Sequence, residues 1–290
     1  MKRNRKYGQL FIPLPAAIAL MLTAPVVHAH NLWLNPADHF PQVGQTVDIG
    51  IGWGHKYREN RVDQEVTEDR VEEISAVDPE GVTVALERVS GSLFRLKIQK
   101  AGVYHVAARI KPGVFTTTPE GRKWADKKGV ENPIKCTAFH ICAKTLIIAG
   151  GGDRNLSGAV NQPLEVIPLE NPAKLKKGDA FRVKVLYDGK PLPNFPVKAV
   201  YAGYEEPPPL PSREDTPAGN PEGKMSSDAA HKGAMTRYPV EATTDDNGET
   251  SLKLDRNGHW MINLSHRLPY PDPQTCDEKM VNAAFTFQVK

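Results

Sequence analysis

The sequence predicts an all-β protein built as two tandem immunoglobulin-like or prealbumin-like β-sandwich domains. Three observations predict it. Apolar and polar residues alternate in short runs, as in "QTVDIGIGWG", where Val47, Ile49, Ile51 and Trp53 share one face. Turn-forming sequences such as "DPEG" and "DDNG" separate the runs. Finally, 25 prolines and 23 glycines are spread along the chain, which favours short strands and turns over long helices.

The first 29 residues read as a secretory signal peptide. Lys2, Arg3, Arg5 and Lys6 form a positive start, "LFIPLPAAIALMLTA" an apolar middle, and Val27 and Ala29 supply small residues at −3 and −1. Cleavage is therefore expected between Ala29 and His30. No later stretch approaches the ~20 apolar residues of a membrane helix, so the expected product is exported, periplasmic and not membrane-embedded. Of 37 basic and 34 acidic residues, the signal removes four basic ones, leaving a net charge of −1. That balance gives nucleic-acid binding no electrostatic support.

Residues 30–150 form the first predicted domain. After "QTVDIGIGWG" come "VEEISAVDPEGVTVALERV", "SLFRLKI" and "GVYHVAARI", five or six short strands by residue 110. From Lys111 to Lys144 the pattern is irregular, and "KCTAFHICAKTLI" fits either a helical turn or a strand. Residues 151–163 read as a linker. The triple glycine there is no phosphate cradle, because no Gly-Lys-Ser/Thr follows. Residues 164–290 form the second predicted domain, of about seven strands, with "DGKPLPN" as a turn. Its stretch 205–237 has few apolar residues and is expected to be a mobile insertion.

Three cysteines, Cys136, Cys142 and Cys276, allow three single pairings in an oxidising compartment. The short loop Cys136–Cys142 is the preferred one, with an inert buried thiol left over.

The chemistry concentrates on histidines. A mature N-terminal His30 would offer its α-amine and its imidazole to one metal through a six-membered chelate ring, a donor set that suits Cu or Ni. The α-amine, with a reference pKa of about 7.7–8.0, loses its proton readily near neutrality. His55 in "GWGHKY" follows a strand and His266 ends "HWMINLSH"; both are expected at one edge of a sandwich, as further ligands. His259 reads as a turn residue and His105 as a satisfied strand histidine. His140 would bind metal only with reduced Cys136 and Cys142, while His39 and His231 carry little weight alone. The acidic run from Glu59 to Glu73 reads as a solvated face rather than a cation site. No Gly-x-Ser-x-Gly elbow, His-Glu-x-x-His helix or EF-hand loop is present, so no catalytic residue is assigned.

The chain also resembles the DUF4198-type proteins, described as periplasmic components or soluble relatives of cobalt/nickel ABC-type uptake systems. The residues that carry the likeness are "AHNLWL", "GWGHKY", "KPGVFTTTPEGRKW", "PLEVIPLENPAKLKKGDAFRVKVLYDGKPLPNFPVKAVYAGY", "TTDDNGETSLKLDRNGHWMINLSH" and "CDEKMVNAAFTFQV". "KCTAFHICAK" departs from it, with two cysteines where an aromatic-rich segment is expected. The resemblance implies a periplasmic protein that binds Ni²⁺ or Co²⁺ and presents it to an inner-membrane importer, with His30, His55 and His266 as ligands. Alternatives from the residues themselves are a periplasmic Cu²⁺ carrier, a histidine-brace copper oxidase, which would need a flat, aromatic-bearing face on which the sequence does not place Trp33, Trp53 or Trp124, and an envelope structural module without metal.

Overall fold

In a computed structural model of the protein, residues 31–54, 57, 66–207 and 237–290 are described. The signal segment, His30, His55 and positions 208–236 of the insertion lie outside them. Strands follow in the order β1 (Asn31–Pro36), β2 (Thr46–Gly54), β3 (Val71–Val77), β4 (Thr83–Val84), β5 (Glu87–Arg88) and β6 (Leu93–Lys97). Then come β7 (Gly102–Ile110), β8 (Gly113–Thr118), β9 (Gly121–Lys123), β10 (Lys135–Ala149), β11 (Leu164–Pro168) and β12 (Ala180–Tyr187). The last six are β13 (Lys190–Pro191), β14 (Pro196–Tyr201), β15 (Val240–Thr243), β16 (Glu249–Lys253), β17 (Gly258–Pro269) and β18 (Glu278–Val289). Among the described residues the only helical pieces are single 3-10 turns, so the protein is all-β, as its alternation predicts.

Three sheets result. β1, β2, β6 and β5 form one four-stranded sheet, and β11, β12, β13 and β16 another. Between them runs a ten-stranded sheet in the order β15-β14-β17-β18-β10-β7-β3-β4, with the β8–β9 hairpin added to β10. The layers are thus two β-sandwiches that share a middle sheet.

β10 is the reason. Of the two readings of "KCTAFHICAKTLI", the strand holds: it is the first part of a 15-residue strand buried from Ile141 to Ala149. Its even row, Cys142, Leu146 and Ile148, enters a core with Phe181, Val183, Phe285 and Phe287. Its odd row, Ile141, Ala143, Ile147 and Ala149, enters another with Leu32, Leu34, Ile49 and Phe94. A strand apolar on both faces reads as a continuous run, which is why its period is illegible. The even row defines what we call the C-side face of the sheet, the odd row the N-side face.

β10 also joins the two halves in plane. It pairs antiparallel with β7 from Cys142 to Ala149 and parallel with β18 from Thr137 to Thr145. Where β18 leaves, residues His39 to Pro41 take over: Ile148 N donates to His39 O (2.7 Å) and Gly150 N to Pro41 O (3.1 Å).

Lys144 falls in the buried C-side row. Its Nζ donates to Glu165 Oε1 (2.6 Å), Gly158 O (2.9 Å) and Val166 O (3.2 Å), which uses all three ammonium protons. Both side chains of the ion pair are only 2% exposed. Residues 151–163 are fastened to this pair rather than strung between the halves. Val160 N donates to Glu165 Oε1, and Gln162 Nε2 donates to Ala108 O and Ala143 O.

The disulfide corrects the expected pairing. Cys136 bonds Cys276, across 140 positions, and Cys142 is a free buried thiol. Cys136 and Cys142 lie six residues apart in one extended strand, hence roughly 20 Å apart, far beyond disulfide reach. Burial pushes the Cys142 thiol up to about 12, so it stays protonated and inert.

Two outcomes test this arrangement. Closing a loop of that length removes about 4–5 kcal/mol of unfolded-state entropy. Cys136→Ser should therefore lower the melting temperature by roughly 10 °C in a thermal scan. Lys144→Met, which strands the Glu165 carboxylate, should lose about 3–5 kcal/mol in urea unfolding. Lys144→Met with Glu165→Leu should recover most of that loss.

Candidate metal centre

Of the three expected ligands, only His266 lies within the described residues. For His30 and His55 the structure gives their chain neighbours. The β1–β2 ladder ends with Asn31 opposite Gly54, the residues that directly follow His30 and precede His55.

β1 is held against the middle sheet from both sides of its own pleat. Leu32 and Leu34 enter the N-side core, while Trp33 packs with Tyr57, Val200, Met261 and Ala284 in a separate cluster. Gly52 makes this possible, since a Cβ there would fall inside the Trp33 indole. The Trp33 and Tyr57 rings meet edge to face, 6.0 Å apart. Thr286 Oγ1 donates to Leu34 O (2.6 Å) and ties β1 to β18.

Two buried polar atoms on this N-side surface have no hydrogen-bond partner among the described residues, Trp33 Nε1 and Asn282 Oδ1. Asn282, only 5% exposed, precedes by two residues the Ala284 that packs on Trp33. An unpaired buried group of this kind costs about 1–3 kcal/mol, so its retention calls for an explanation. Sequence reading passed over both. The available signals were an asparagine inside the apolar strand "MVNAAFTFQV" and a glycine beside a tryptophan in "GIGWG".

His266 stands elsewhere. It faces Val281 within β17–β18, and its ring packs edge-on against Tyr187 (4.9 Å) and Phe195 (5.3 Å). Val281 and Phe195 belong to the C-side core, so the thickness of the middle sheet separates the His266 ring from β1. Burial holds its pKa below the ordinary histidine value.

The remaining histidines divide by environment. Fully buried His105 donates Nε2–H to Asn155 O (2.6 Å) while its Nδ1 has no partner, so it is only half satisfied. Burial, with the Lys144 charge nearby, lowers its pKa to about 3. The thiols His140 would need are not available as a pair, since Cys136 is in the disulfide. His259 is the second residue of β17, not a turn residue, and its ring lies 5.3 Å from that of buried His39. Among the described residues no group of three or more His, Cys, Asp or Glu side chains could hold a metal ion.

Other surfaces carry less. Of the acidic run, Glu72 and Glu73 pair with Arg109. Trp33 and Trp53 are buried and Trp124 is 66% exposed, so the three do not make one flat aromatic face. An open cleft of about 520 Å³ is lined by Asp153, Glu170, Asn171, Lys174 and Asp179. Its carboxylates are engaged: Asp153 with Lys174 and Asn171, Glu170 with Arg182 N, and Asp179 with Lys176 N. Among the described residues no helix is long and apolar enough to cross a membrane.

The family model described as "Domain of unknown function (DUF4198)" matches residues 27–268, and the chain belongs to that family. No curated protein matches it. Among solved structures, an alpha-2-macroglobulin from Salmonella aligns at 15% identity over 89% of this chain and 15% of its own, with a TM-score of 0.22. The D00-D0 domain of intimin aligns at 15% identity over 88% of this chain and 98% of its own, with a TM-score of 0.19. The adhesin InvE of Yersinia pseudotuberculosis aligns at 14% identity over 88% and 58%, with a TM-score of 0.18. The chain thus spans a small part of the first and nearly all of the second. Scores this low lend it neither a function nor a partner.

A pH dependence follows from His105. Its pKa is about 3 when folded against about 6.5 unfolded, so below pH 6.5 the unfolded chain binds the extra proton. Stability from this residue is complete above pH 6.5 and is lost as pH falls toward 3, at up to about 1.4 kcal/mol per pH unit. Urea unfolding at pH 7.5 and pH 5 should show His105→Gln losing about 2 kcal/mol less than the parent.

Proposed function

We propose that this DUF4198 protein is a periplasmic binding protein for a transition metal ion, Ni²⁺ or Co²⁺, which it hands to a membrane transporter for uptake. The site is formed by the α-amine and imidazole of His30 together with the imidazole of His55. The observation that carries this reading is the end of the β1–β2 ladder. Asn31 pairs with Gly54, and His30 and His55 adjoin that pair in sequence. Paired residues in an antiparallel ladder have Cα atoms about 4.5–5.5 Å apart, and that closeness of their sequence neighbours is what supports the reading.

The chemistry is that of neutral nitrogen donors. An α-amine with a pKa near 7.7–8.0 and imidazoles near 6.5 lose their protons to a borderline divalent ion at neutral pH, and mild acid returns them and releases it. His266, on the opposite face, has no part in this site. Cu²⁺ would outrank Ni²⁺ for the same donors by intrinsic affinity, so the cargo is set by supply and by the partner.

The test is calorimetric titration with Ni²⁺, Co²⁺ and Cu²⁺ of protein exported and processed in the periplasm, its N-terminus confirmed by mass spectrometry. One ion should bind per chain, and an extra alanine before His30 should weaken binding tenfold or more. His55→Ala should weaken it comparably, and His266→Ala should leave it within twofold. Equal binding by the parent and the extended protein would remove the α-amine from the site.

A further inference from the structure

A different histidine pair sits where the chain turns off β1. Residues His39 to Pro41 complete the edge of β10 beyond β18, and His39 is pinned there twice. Its carbonyl accepts from Ile148 N (2.7 Å), and its Nδ1 lies 2.7 Å from Leu146 O. A carbonyl oxygen only accepts, so Nδ1 carries the hydrogen and Nε2 carries the lone pair. That is the state of a metal-binding imidazole, whose second nitrogen is held by a backbone carbonyl. His39 is 2% exposed, and burial lowers its pKa to about 3, so it is neutral across the physiological range.

The other imidazole comes from His259, at the start of β17. The two ring centroids are 5.3 Å apart with planes inclined at 59°. An imidazole nitrogen at about 2.0 Å from Zn²⁺ puts the ring centroid about 3.2 Å from the ion. With one nitrogen of each ring turned to a shared ion, a centroid separation of 5.3 Å corresponds to an N–Zn–N angle of about 110°, the tetrahedral value. His259 is half-buried, which leaves a side of the site open to solvent for the remaining positions.

We propose that His39 and His259 form a binding site for Zn²⁺, with His39 Nε2 and the His259 imidazole as protein ligands and waters completing a tetrahedron. The site is separate from the His30 and His55 site and does not depend on it. Both side chains lie on backbone fixed by the sheet: His39 through Leu146 and Ile148, and His259 through its carbonyl, which accepts from Ala202 N (2.9 Å). Binding therefore orders little new chain. A two-histidine, water-filled coordination sphere suits an ion that is bound loosely and exchanged, not a structural zinc.

The experiment is Zn²⁺ titration of the full chain in four forms: the parent, His30→Ala with His55→Ala, and that double variant with either His259→Ala or His39→Gln added. Histidine ring nitrogens are followed by NMR in each. One equivalent of Zn²⁺ should still bind when His30 and His55 are gone. Its binding should shift the Nε2 signal of one imidazole whose Nδ1–H is retained. His259→Ala should weaken the retained binding tenfold or more, as should His39→Gln. His259 is half-buried, so its variant reports even if the His39 variant fails to fold. Complete loss of Zn²⁺ binding in the His30, His55 double variant would overturn the second site while leaving the first intact. Binding within twofold of that double variant after His259→Ala would overturn it too. Failure of the α-amine test above, with retained His259-dependent Zn²⁺ binding, would overturn only the first site.

Discussion

The structure depends on one strand that has no solvent face from Ile141 to Ala149. β10 gives its even residues to one core and its odd residues to the other, and its backbone to β7, β8 and β18. A single residue inserted there would exchange the two rows and send Cys142, Leu146 and Ile148 into the core built for their neighbours. Everything the candidate sites need follows from this anchoring. β1 lies on the N-side face and brings the ladder end with it, while His39 completes the edge of β10 where β18 stops.

Burying both faces of a strand leaves little room for polarity, and the protein admits it sparingly. Lys144 and Glu165 are a fully enclosed ion pair in which the ammonium has three partners and the carboxylate also accepts a backbone N–H. Such a pair adds little net stability over an apolar substitute, because its desolvation offsets its attraction. Its effect is on register. A β10 shifted by one residue would place the charge in an aliphatic core, so the pair fixes which face is which and holds residues 151–163 against it. Burial presses the Lys144 pKa down and the Glu165 charge opposes that.

The legibility of the sequence followed the solvent. Strands with one wet face, such as β2 and β12, alternate openly and were read correctly in type and place. β10 stays open between helical turn and strand, because a doubly buried strand loses its period of two. The disulfide was misjudged for the same reason: an extended β10 carries Cys136 and Cys142 apart, whereas a turn there would have brought them together. Long-range partners left no local trace. Nothing near His39 announces Leu146 or His259, more than a hundred residues away, and nothing near His266 shows that the sheet stands between it and β1.

The parallel pairing of β10 with β18 also governs the order in which the molecule is assembled. β18 is synthesised after the other described strands, yet it is the in-plane neighbour of a strand made some 140 residues earlier. Contacts this far apart in sequence slow folding, because chain entropy is surrendered before they form. Until β18 arrives, β10 and β17 present open edges that invite pairing with any other extended chain. β18 thus closes two strand edges in one step, and chains that lack it leave both exposed.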